Sequence, residues 1–375
     1  MKKIFWGIQS LNGLGGTETV SIKLMNLLAG YFEIHLICSA KIEGDISYKL
    51  DPRIIVHSLN IPLKVLRFDE TFLELKKSHH FIKILKLFHQ ELYEFFYTKN
   101  KKRKYIKSLM DCDSIYIGSA LDSYLFAPKK VKVFYHFHFD EKQYFSFANR
   151  FGFCFSRKPD KTIFLAKSIE EKVLKKKKKL LGKTTYIYNP IKFRPIFSDK
   201  LNNNSLIFVG RFSKQKDPMF ALKIAKNLHD KNFKFSLKMY GEGNFYNEMV
   251  EFKNKNKLDE VEIILHHIVT QDDFVSSDLL LFTSIYEGFP LVIGEANASS
   301  CPVISTNWHG TINESIINKT NGFILDSKNE EDYGNKIIEV LTNKEELIKV
   351  KQSSFEYSKR LDDEAILKEW LDIFK

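Results

Sequence analysis

The sequence of 375 residues lacks any apolar run of about 18 residues, the length at which a helix can cross a bilayer. We therefore expect no membrane-spanning helix. The apolar stretch Ile4 to Ile8 is too short for the core of a signal peptide, and it ends in polar, glycine-rich sequence without a cleavage-like site. We interpret this stretch as a first β-strand and expect the protein in the cytoplasm.

Cysteine is scarce, and the four cysteines show neither the close pairing of disulfide-rich domains nor the spacing of zinc ligands. We interpret them as small core residues in a reducing compartment. We expect no bound metal. The four are Cys38, Cys112, Cys154 and Cys301.

The alternation of apolar strands with amphipathic helices predicts βαβ units and mostly parallel sheets, an α/β fold. A chain of this length with 44% hydrophobic content can fill two cores rather than one. A polar break, residues 198–204, precedes a new strand near Ser205. Predicted strands include 31–39, 54–59, 113–118, 132–135 and 279–282, and predicted helices include 17–30, 81–102, 291–300 and 356–374.

Charge is distributed unevenly along the chain. Residues 1–190 carry 34 Lys and Arg against 18 Asp and Glu, a net charge of +16, whereas residues 191–375 carry 24 against 28, a net charge of −4. Two basic clusters, Lys99 to Lys107 and Glu171 to Lys183, mix bases with apolar side chains, as expected of a surface that binds anionic lipid headgroups. Lysine-rich solvated helices explain the same composition. Neither cluster belongs to a nucleic-acid-binding fold, so we expect no nucleic-acid partner.

The segment Glu287 to Glu295 places two carboxylates around the expected start of a helix. The apolar run Leu279 to Phe282 predicts a buried strand, followed by a turn and then a helix from Leu291. The free N–H groups and the positive dipole end of that helix favour a phosphate. Glu295, one turn into the helix, can reach back to hydroxyl groups near that phosphate. Solvated surface acids are the alternative interpretation.

Two further features suit a phosphate ligand. Gly15 and Gly16 follow the first strand, where glycine lets backbone N–H groups approach a phosphate, although the turn does not match the full dinucleotide pattern. Arg211 and Lys216 follow the strand that ends in Gly210. Arg offers a planar fork to phosphate oxygens and Lys a mobile point charge. An exposed basic loop is the alternative for this pair.

His136 and His138 follow the apolar strand that begins at Lys132. Because strand side chains alternate, the two imidazoles should point to the same side. We favour His138 as the functional residue, since it lies nearer the carboxyl end, with His136 close behind. Core histidines or metal ligands are the alternatives, and no third ligand has suitable spacing. The Asp111-Cys112-Asp113 sequence has the letters of a metal-binding Asp-x-Asp motif, but we interpret it as a loop before a strand.

The segment Glu287 to Glu295, EGFPLVIGE, resembles the paired-glutamate signature of the family 4 glycosyltransferases. These are retaining enzymes of the GT-B fold, which consists of two facing Rossmann-like domains. The glycine-rich turn after the first strand, the Gly-Arg strand end with Lys216 five residues later, and the Gly241-x-Gly243 turn are similar as well. The likeness covers nearly the whole chain.

The resemblance implies a Rossmann-like acceptor domain, residues 1–190, with the last helix, 356–375, crossing back onto it, and a nucleotide-sugar domain, residues 191–355. It implies metal-independent transfer of a hexose-type sugar from a UDP-sugar to a glycan or lipid-linked acceptor in cell-surface polysaccharide synthesis, at the inner face of the membrane, without a cofactor. Catalytic residues would be His138, His136 and Glu287. The donor would be bound by Gly15, Gly16, Arg211, Lys216, Gly241, Gly288, Phe289, Pro290, Leu291, Val292 and Glu295.

Within this resemblance Glu287 would hold the donor sugar and Glu295 the ribose, while the amides of residues 289–292 would bind the phosphates with Arg211 and Lys216. Residues 265–278 depart from the family, because this version is shorter and lacks the usual glycine. Two other functions fit the sequence. One is a catalytically silent GT-B subunit that supports another transferase, and the other is a peripheral membrane-binding partner.

Overall fold

The computed structural model describes residues 1–11, 15–42, 49–61, 100, 103–119, 131–145, 159–308 and 310–375. The chain divides into two compact units, Met1–Ile187 and Tyr188–Lys375. Each unit contains a parallel sheet with helices, which confirms the predicted α/β class. The domain limits 190 and 355 and the crossing of the last helix stay predictions. In the part of the chain that is described, no helix is long and apolar enough to span a membrane.

The first unit is built on a sheet of seven described strands in the order β3-β2-β1-β4-β5-β6-β7. All of their pairings are parallel. The strands are β1 Lys3–Ile8, β2 Glu33–Ala40, β3 Ile55–Ile61, β4 Ile115–Gly118, β5 Lys132–Phe137, β6 Lys161–Phe164 and β7 Thr184–Tyr186. The helices are α1 Gly16–Leu28, α2 Glu141–Tyr144 and α3 Lys167–Lys176, with a 3-10 turn at Lys178–Leu180, and residues 103–109 are also helical.

The central strands of the first unit are mostly apolar, because both faces of a parallel sheet are covered. Every residue of β1 after Lys3 is buried. Helix α1 turns one apolar face to the core, and it includes Val20, Leu24 and Leu28. It begins and ends within two residues of the predicted bounds, which is the usual uncertainty at helix ends. The predicted helix 81–102 lies almost entirely outside the described residues.

The second unit contains a sheet of six described strands, all parallel, in the order β10-β9-β8-β11-β12-β13. The strands are β8 Ser205–Val209, β9 Ser236–Tyr240, β10 Val261–Ile264, β11 Leu279–Phe282, β12 Val303–Thr306 and β13 Gly322–Leu325. The helices are α4 Pro218–Asp230, α5 Tyr246–Lys255, α6 Gln271–Val275, α7 Leu291–Ala298, α8 Ile312–Ser315, α9 Glu330–Thr342, α10 Lys344–Ser358 and α11 Asp363–Phe374, with a 3-10 turn at Lys359–Leu361.

The predicted single helix Glu356 to Phe374 is wrong. Helix α10 continues to Ser358, a 3-10 turn follows, and α11 starts only at Asp363. The break lies at Asp362, which has extended backbone angles, φ −67° and ψ 157°. Asp favours the position before the first helical residue, but here the Asp362 side chain makes no capping hydrogen bond. Its extended backbone interrupts the helical path although the apolar period continues.

Both sheets reverse their strand order next to their first strand, between β1 and β4 in one unit and between β8 and β11 in the other. Connections on the two sides of such a point leave in opposite directions and open a crevice outside the carboxyl ends of the strands. This crevice is where ligands of doubly wound α/β folds bind. The topology therefore places a candidate site in each unit, after β1 and β4 and after β8 and β11.

Candidate active site

In the second unit, the turns that follow β8 and β11 are joined by hydrogen bonds. The Thr283 hydroxyl donates to the carbonyl oxygens of Lys216, at 2.8 Å, and Asp217, at 2.9 Å. The N–H of Ile285 donates to the carbonyl oxygen of Gln215 at 2.8 Å. Because these bonds tie the backbone of one turn to the other, the side chains that the turns carry have fixed relative positions.

Lys216 and Glu287 form an ion pair at this crevice. The Lys216 Nζ atom lies 2.7 Å from Glu287 Oε1, and the two side chains are 17% and 12% exposed. The ammonium also lies 5.6 Å from the centre of the Phe282 ring. Partial burial strengthens the field of each charge relative to water. The structure thus joins two predicted site residues, a cation suited to a phosphate oxygen and a carboxylate suited to sugar hydroxyls.

The Gly241–Gly243 turn packs directly on the backbone that follows β8. The N–H of Gly210 donates to Tyr240 O at 3.0 Å, and the N–H of Phe212 donates to Glu242 O at 2.7 Å. A Cβ at Gly241 would collide with the carbonyl oxygen of Gly210. Close backbone approach therefore accounts for this glycine by itself, and a donor contact of Gly241 stays a prediction. Arg211 lies exposed at the same strand end.

Helix α7 begins where the sequence predicts, at Leu291 after Pro290. Pro290 provides no capping side chain, and the positive end of the helix dipole lies at this turn. Leu291 and Val292 are half-buried, as is Glu295 one turn further. The Gly288 carbonyl accepts a hydrogen bond from the Thr311 hydroxyl. The structure thus places the second-unit members of the predicted site on the turns that follow β8, β9 and β11 and at one helix start.

In the first unit, His136 and His138 lie at the carboxyl end of β5 with ring centroids 4.1 Å apart. Both are buried, at 1% and 9% exposure. Burial lowers the pKa of His138 to about 3, and burial together with the neighbouring His138 holds the pKa of His136 well below its usual value. Two neutral imidazoles can exchange hydrogen bonds with a ligand but bring no charge to it.

A hydrogen-bonded group at the β1/β4 switch point was not predicted. The Trp6 Nε1–H donates to Ser119 Oγ at 2.6 Å, and the Ser21 hydroxyl donates to the same oxygen at 3.0 Å. The Trp6 ring meets His136 edge to face at a centroid distance of 6.1 Å. Isolated serines and a tryptophan in an apolar strand carry no sequence signal. The order of the strands and the packing of helix α1, which carries Ser21, bring them together.

Gly15 and Gly16 lie at the start of α1. Gly15 precedes the helix without a side-chain cap, and its carbonyl accepts the N–H of Thr19 at 3.0 Å. The carboxylate of Glu18 lies so close to Gly15 that a Cβ there would collide with it. This acid already complements the helix dipole. A phosphate at Gly15 and Gly16, which stays a prediction, would have to displace it.

The Asp111 to Asp113 sequence lies in the turn before β4, at the amino edge of the sheet, and Asp111 pairs with Lys3 at 3.0 Å. This turn therefore lies at the opposite end of β4 from the crevice of the first unit, which is at the carboxyl ends of the strands. Within the described ranges, no three His, Cys, Asp or Glu side chains converge as metal ligands would. That the reaction needs no metal stays a prediction.

Residues 191–357 match the protein family described as "Glycosyl transferases group 1". Three curated relatives are an uncharacterized glycosyltransferase of Methanocaldococcus jannaschii, 28% identical over 54% of this chain and 55% of that one; an uncharacterized glycosyltransferase of Haemophilus influenzae, 25% identical over 100% of both chains; and the amylovoran biosynthesis glycosyltransferase AmsD of Erwinia amylovora, 29% identical over 48% and 50%. The chain thus spans about half the length of two of these relatives and all of the third.

Solved structures agree with the fold. TarM of S. aureus, in a complex that includes UDP and α-GlcNAc-glycerol, superimposes with a TM-score of 0.75 at 15% identity over 100% of both chains. HepE of Anabaena, in complex with UDP and glucose, gives a TM-score of 0.73 at 16% identity over 100% of this chain and 99% of that one. These likenesses confirm the predicted GT-B fold, while the narrower assignment to family 4 stays a prediction.

Proposed function

We propose that this chain, which has the GT-B fold and is similar to glycosyltransferases, moves a hexose-type sugar from a UDP-sugar to a glycan or lipid-linked acceptor with retention of configuration. The acceptor belongs to the synthesis of a cell-surface polysaccharide. Neither a metal ion nor a separate cofactor takes part in the proposed reaction.

The observation that carries this proposal is the Lys216–Glu287 pair at the β8/β11 crevice, 2.7 Å apart and largely buried. A diphosphate that enters beside α7 competes for the ammonium, and the hydroxyl groups of its sugar compete for the carboxylate. Arg211 adds a second cation from the end of β8. Glu295, on α7, is assigned to the ribose, and the amides of residues 289–292 are assigned to the phosphates.

The choice of a uridine nucleotide is supported by the solved complexes, since both TarM and HepE were crystallised with UDP. The choice of a polysaccharide product is supported by AmsD, whose name places it in amylovoran biosynthesis. Both properties belong to those proteins and are extended to this chain as part of the proposal.

In the proposed reaction the acceptor oxygen attacks the anomeric carbon from the face on which the diphosphate departs. The carbon–oxygen bond to the diphosphate breaks as the new glycosidic bond forms. The acceptor proton passes to a diphosphate oxygen, so no protein nucleophile is required. Lys216 and Arg211 stabilise the charge that develops on the leaving group. His138, with His136 as the alternative, is assigned to the donor sugar as a neutral hydrogen-bonding group.

We further propose that the chain works at the cytoplasmic face of the membrane, where the basic end of α3 binds anionic headgroups. The ammonium groups of Lys176 and Lys177 lie 5.1 and 5.3 Å from the centre of the Phe145 ring. Leu181, just beyond them, is 77% exposed. Lysines combined with exposed apolar groups are typical of lipid-facing surfaces.

Thermal shift with nucleoside diphosphates, then with UDP-hexoses, tests the donor, because a ligand of the native state raises the melting temperature. UDP and one UDP-hexose should stabilise the protein, and Glu295→Ala should lower the affinity for UDP about tenfold.

NMR of the product should show that the anomeric configuration of the sugar is retained. A metal chelator should leave the activity unchanged. If no nucleoside diphosphate or nucleotide sugar bound, the proposed function would be wrong. If Glu295→Ala left UDP affinity and turnover unchanged, the ribose assignment would fail.

A further inference from the structure

The Glu287–Glu295 motif rests on a support that lies outside the motif. Its Phe289 ring, 7% exposed, packs on the ring of Tyr188 with centroids 5.1 Å apart and planes inclined by 34°. Tyr188 is the first residue of the second unit. Because Phe289 lies two residues after Glu287, the position of the Tyr188 ring limits where the Glu287 turn can lie.

Tyr188 is itself fixed by two charged residues. Its hydroxyl donates to Glu314 Oε2 at 2.9 Å, and the Arg360 guanidinium covers its ring with Cζ 4.6 Å from the centroid. The guanidinium also lies 4.0 Å from the centre of the Tyr357 ring and donates to the backbone carbonyl of Glu314. Arg is suited to this sandwich, because its planar cation stacks on aromatic faces while its N–H groups bond in the plane.

The same support holds helix α7. A Cβ at Gly294 would lie 2.5 Å from Ile191 Cγ2 and 3.1 Å from Leu361 Cδ1, so the helix backbone lies directly on these two side chains. The N–H of Ile191 donates to the carbonyl oxygen of Leu361 at 3.2 Å. Four residues, Tyr188, Ile191, Arg360 and Leu361, thus form a continuous seat beneath the motif.

We propose that Tyr188 and Arg360 are positioning residues for the sugar end of the donor. They do not touch the donor. They hold the Gly288–Phe289 turn so that Glu287 meets the sugar hydroxyls, and the inference therefore rests on the proposed function. A misplacement of about 1 Å in a catalytic site can cost about 100-fold in rate. Loss of the seat should thus impair use of the sugar more than binding of UDP.

Four variants test the seat. Arg360→Met removes the cation and its hydrogen bonds at similar length, Arg360→Lys keeps the charge without the planar stack, and Tyr188→Phe removes only the hydroxyl bond to Glu314. Lys359→Met is the matched control, because this neighbouring ammonium pairs with Glu356 at 2.6 Å on the surface. Calorimetry gives the affinity for UDP, and initial rates give kcat and KM for UDP-glucose, UDP-galactose or UDP-N-acetylglucosamine, whichever the wild type uses best.

Arg360→Met should lower kcat/KM for the UDP-hexose about tenfold to 100-fold, while the affinity for UDP changes less than about threefold. Arg360→Lys should recover part of the loss, and Lys359→Met should match the wild type. Tyr188→Phe should lower kcat/KM about threefold to tenfold. Since it preserves the ring, it decides the question if Arg360→Met does not fold.

Two results would overturn the inference. One is wild-type kcat/KM in Tyr188→Phe, together with wild-type kcat/KM in Arg360→Met if that variant folds. The other is an equal loss of UDP affinity and of UDP-hexose turnover, in step with a lower melting temperature, since that pattern indicates a general structural role. Failure of the proposed function looks different, because the unmodified chain would then bind neither UDP nor any of the three UDP-hexoses.

Discussion

The two units share one strand order around their switch points but place different chemistry there. In the first unit, the carboxyl ends of β4 and β5 carry Ser119, His136 and His138, all buried and without formal charge at neutral pH. In the second unit, the ends of β8 and β11 carry Arg211 and the Lys216–Glu287 pair. The same topology thus supports a neutral polar site in one unit and an ionic site in the other.

This difference shows that the net charge of a region does not predict the charge of the site that it contains. Residues 1–190 have a net charge of +16, with 34 Lys and Arg against 18 Asp and Glu, and residues 191–375 have a net charge of −4, with 24 against 28. Yet the cations that suit a diphosphate lie in the second, acidic region. Net charge governs solubility and long-range attraction, whereas a binding site depends on which few side chains the fold brings together.

The largest effect is expected from breaking the ionic site. Lys216→Met should lower kcat/KM about 10²- to 10³-fold, because it removes a cation that stabilises the developing charge of the leaving group. Lys214→Met, an exposed lysine of the same loop, is the control and should remain near wild type. In the double variant Glu287→Gln, Lys216→Met, the free-energy loss calculated from kcat/KM should be smaller than the sum of the losses in the two single variants. If the two lysine variants had equal activity, the assignment of Lys216 to the site would be wrong.

The second unit also keeps a buried ion pair in its core, and its disruption should be the largest effect on stability. Lys351 Nζ lies 4.0 Å from Asp278 Oδ1, with both side chains fully buried, and Asp278 accepts the N–H groups of Asn202 and Ser205. Lys351→Met should lower the free energy of unfolding by about 3 kcal/mol, because it leaves a buried carboxylate without its counter-ion. Urea unfolding measures this, and unchanged stability would contradict it.

The neutral site of the first unit should respond to acid. The pKa of His138 is depressed in the folded state, so the unfolded chain binds more protons once the pH falls below about 6.5. Stability should then decrease toward pH 4, with a slope that approaches about 1.4 kcal/mol per pH unit for each such histidine. His138→Gln should reduce the slope in urea unfolding measured from pH 7 to pH 5. An unchanged slope would mean that His138 does not contribute.

The smallest effect is expected at the start of α1. If Gly15 and Gly16 bind a phosphate of the donor, Glu18→Gln should increase the affinity for UDP about threefold at low salt. The reason is that this change removes the negative charge of a carboxylate at the start of the helix. The effect should fade as salt is raised. Calorimetry at two salt concentrations measures it, with Glu33→Gln, on β2 of the same unit, as the control. Weaker binding of UDP by Glu18→Gln would instead make Glu18 part of the donor site.

Local sequence signals were sufficient for several elements. The apolar run Leu279–Phe282 is strand β11 with its predicted bounds, and α7 starts at the predicted Leu291. By contrast, the predicted helix Glu356 to Phe374 missed the interruption at Asp362, since an amphipathic period continues on both sides of it. The hydrophobic period predicts which side chains face the core. It predicts the residue at which a helix ends or breaks less accurately.

The sequence by itself determined the α/β alternation, the strands on which the sites depend, and the residue types that suit a diphosphate and a sugar. Only the tertiary structure decided that Lys216 meets Glu287, 71 residues away, that two histidines are buried and neutral, and that Tyr188 and Arg360 support Phe289. The reason is physical. Periodicity and turn chemistry act over a few residues and remain visible in the sequence, whereas ion pairing, desolvation and ring packing depend on the fold that joins distant segments.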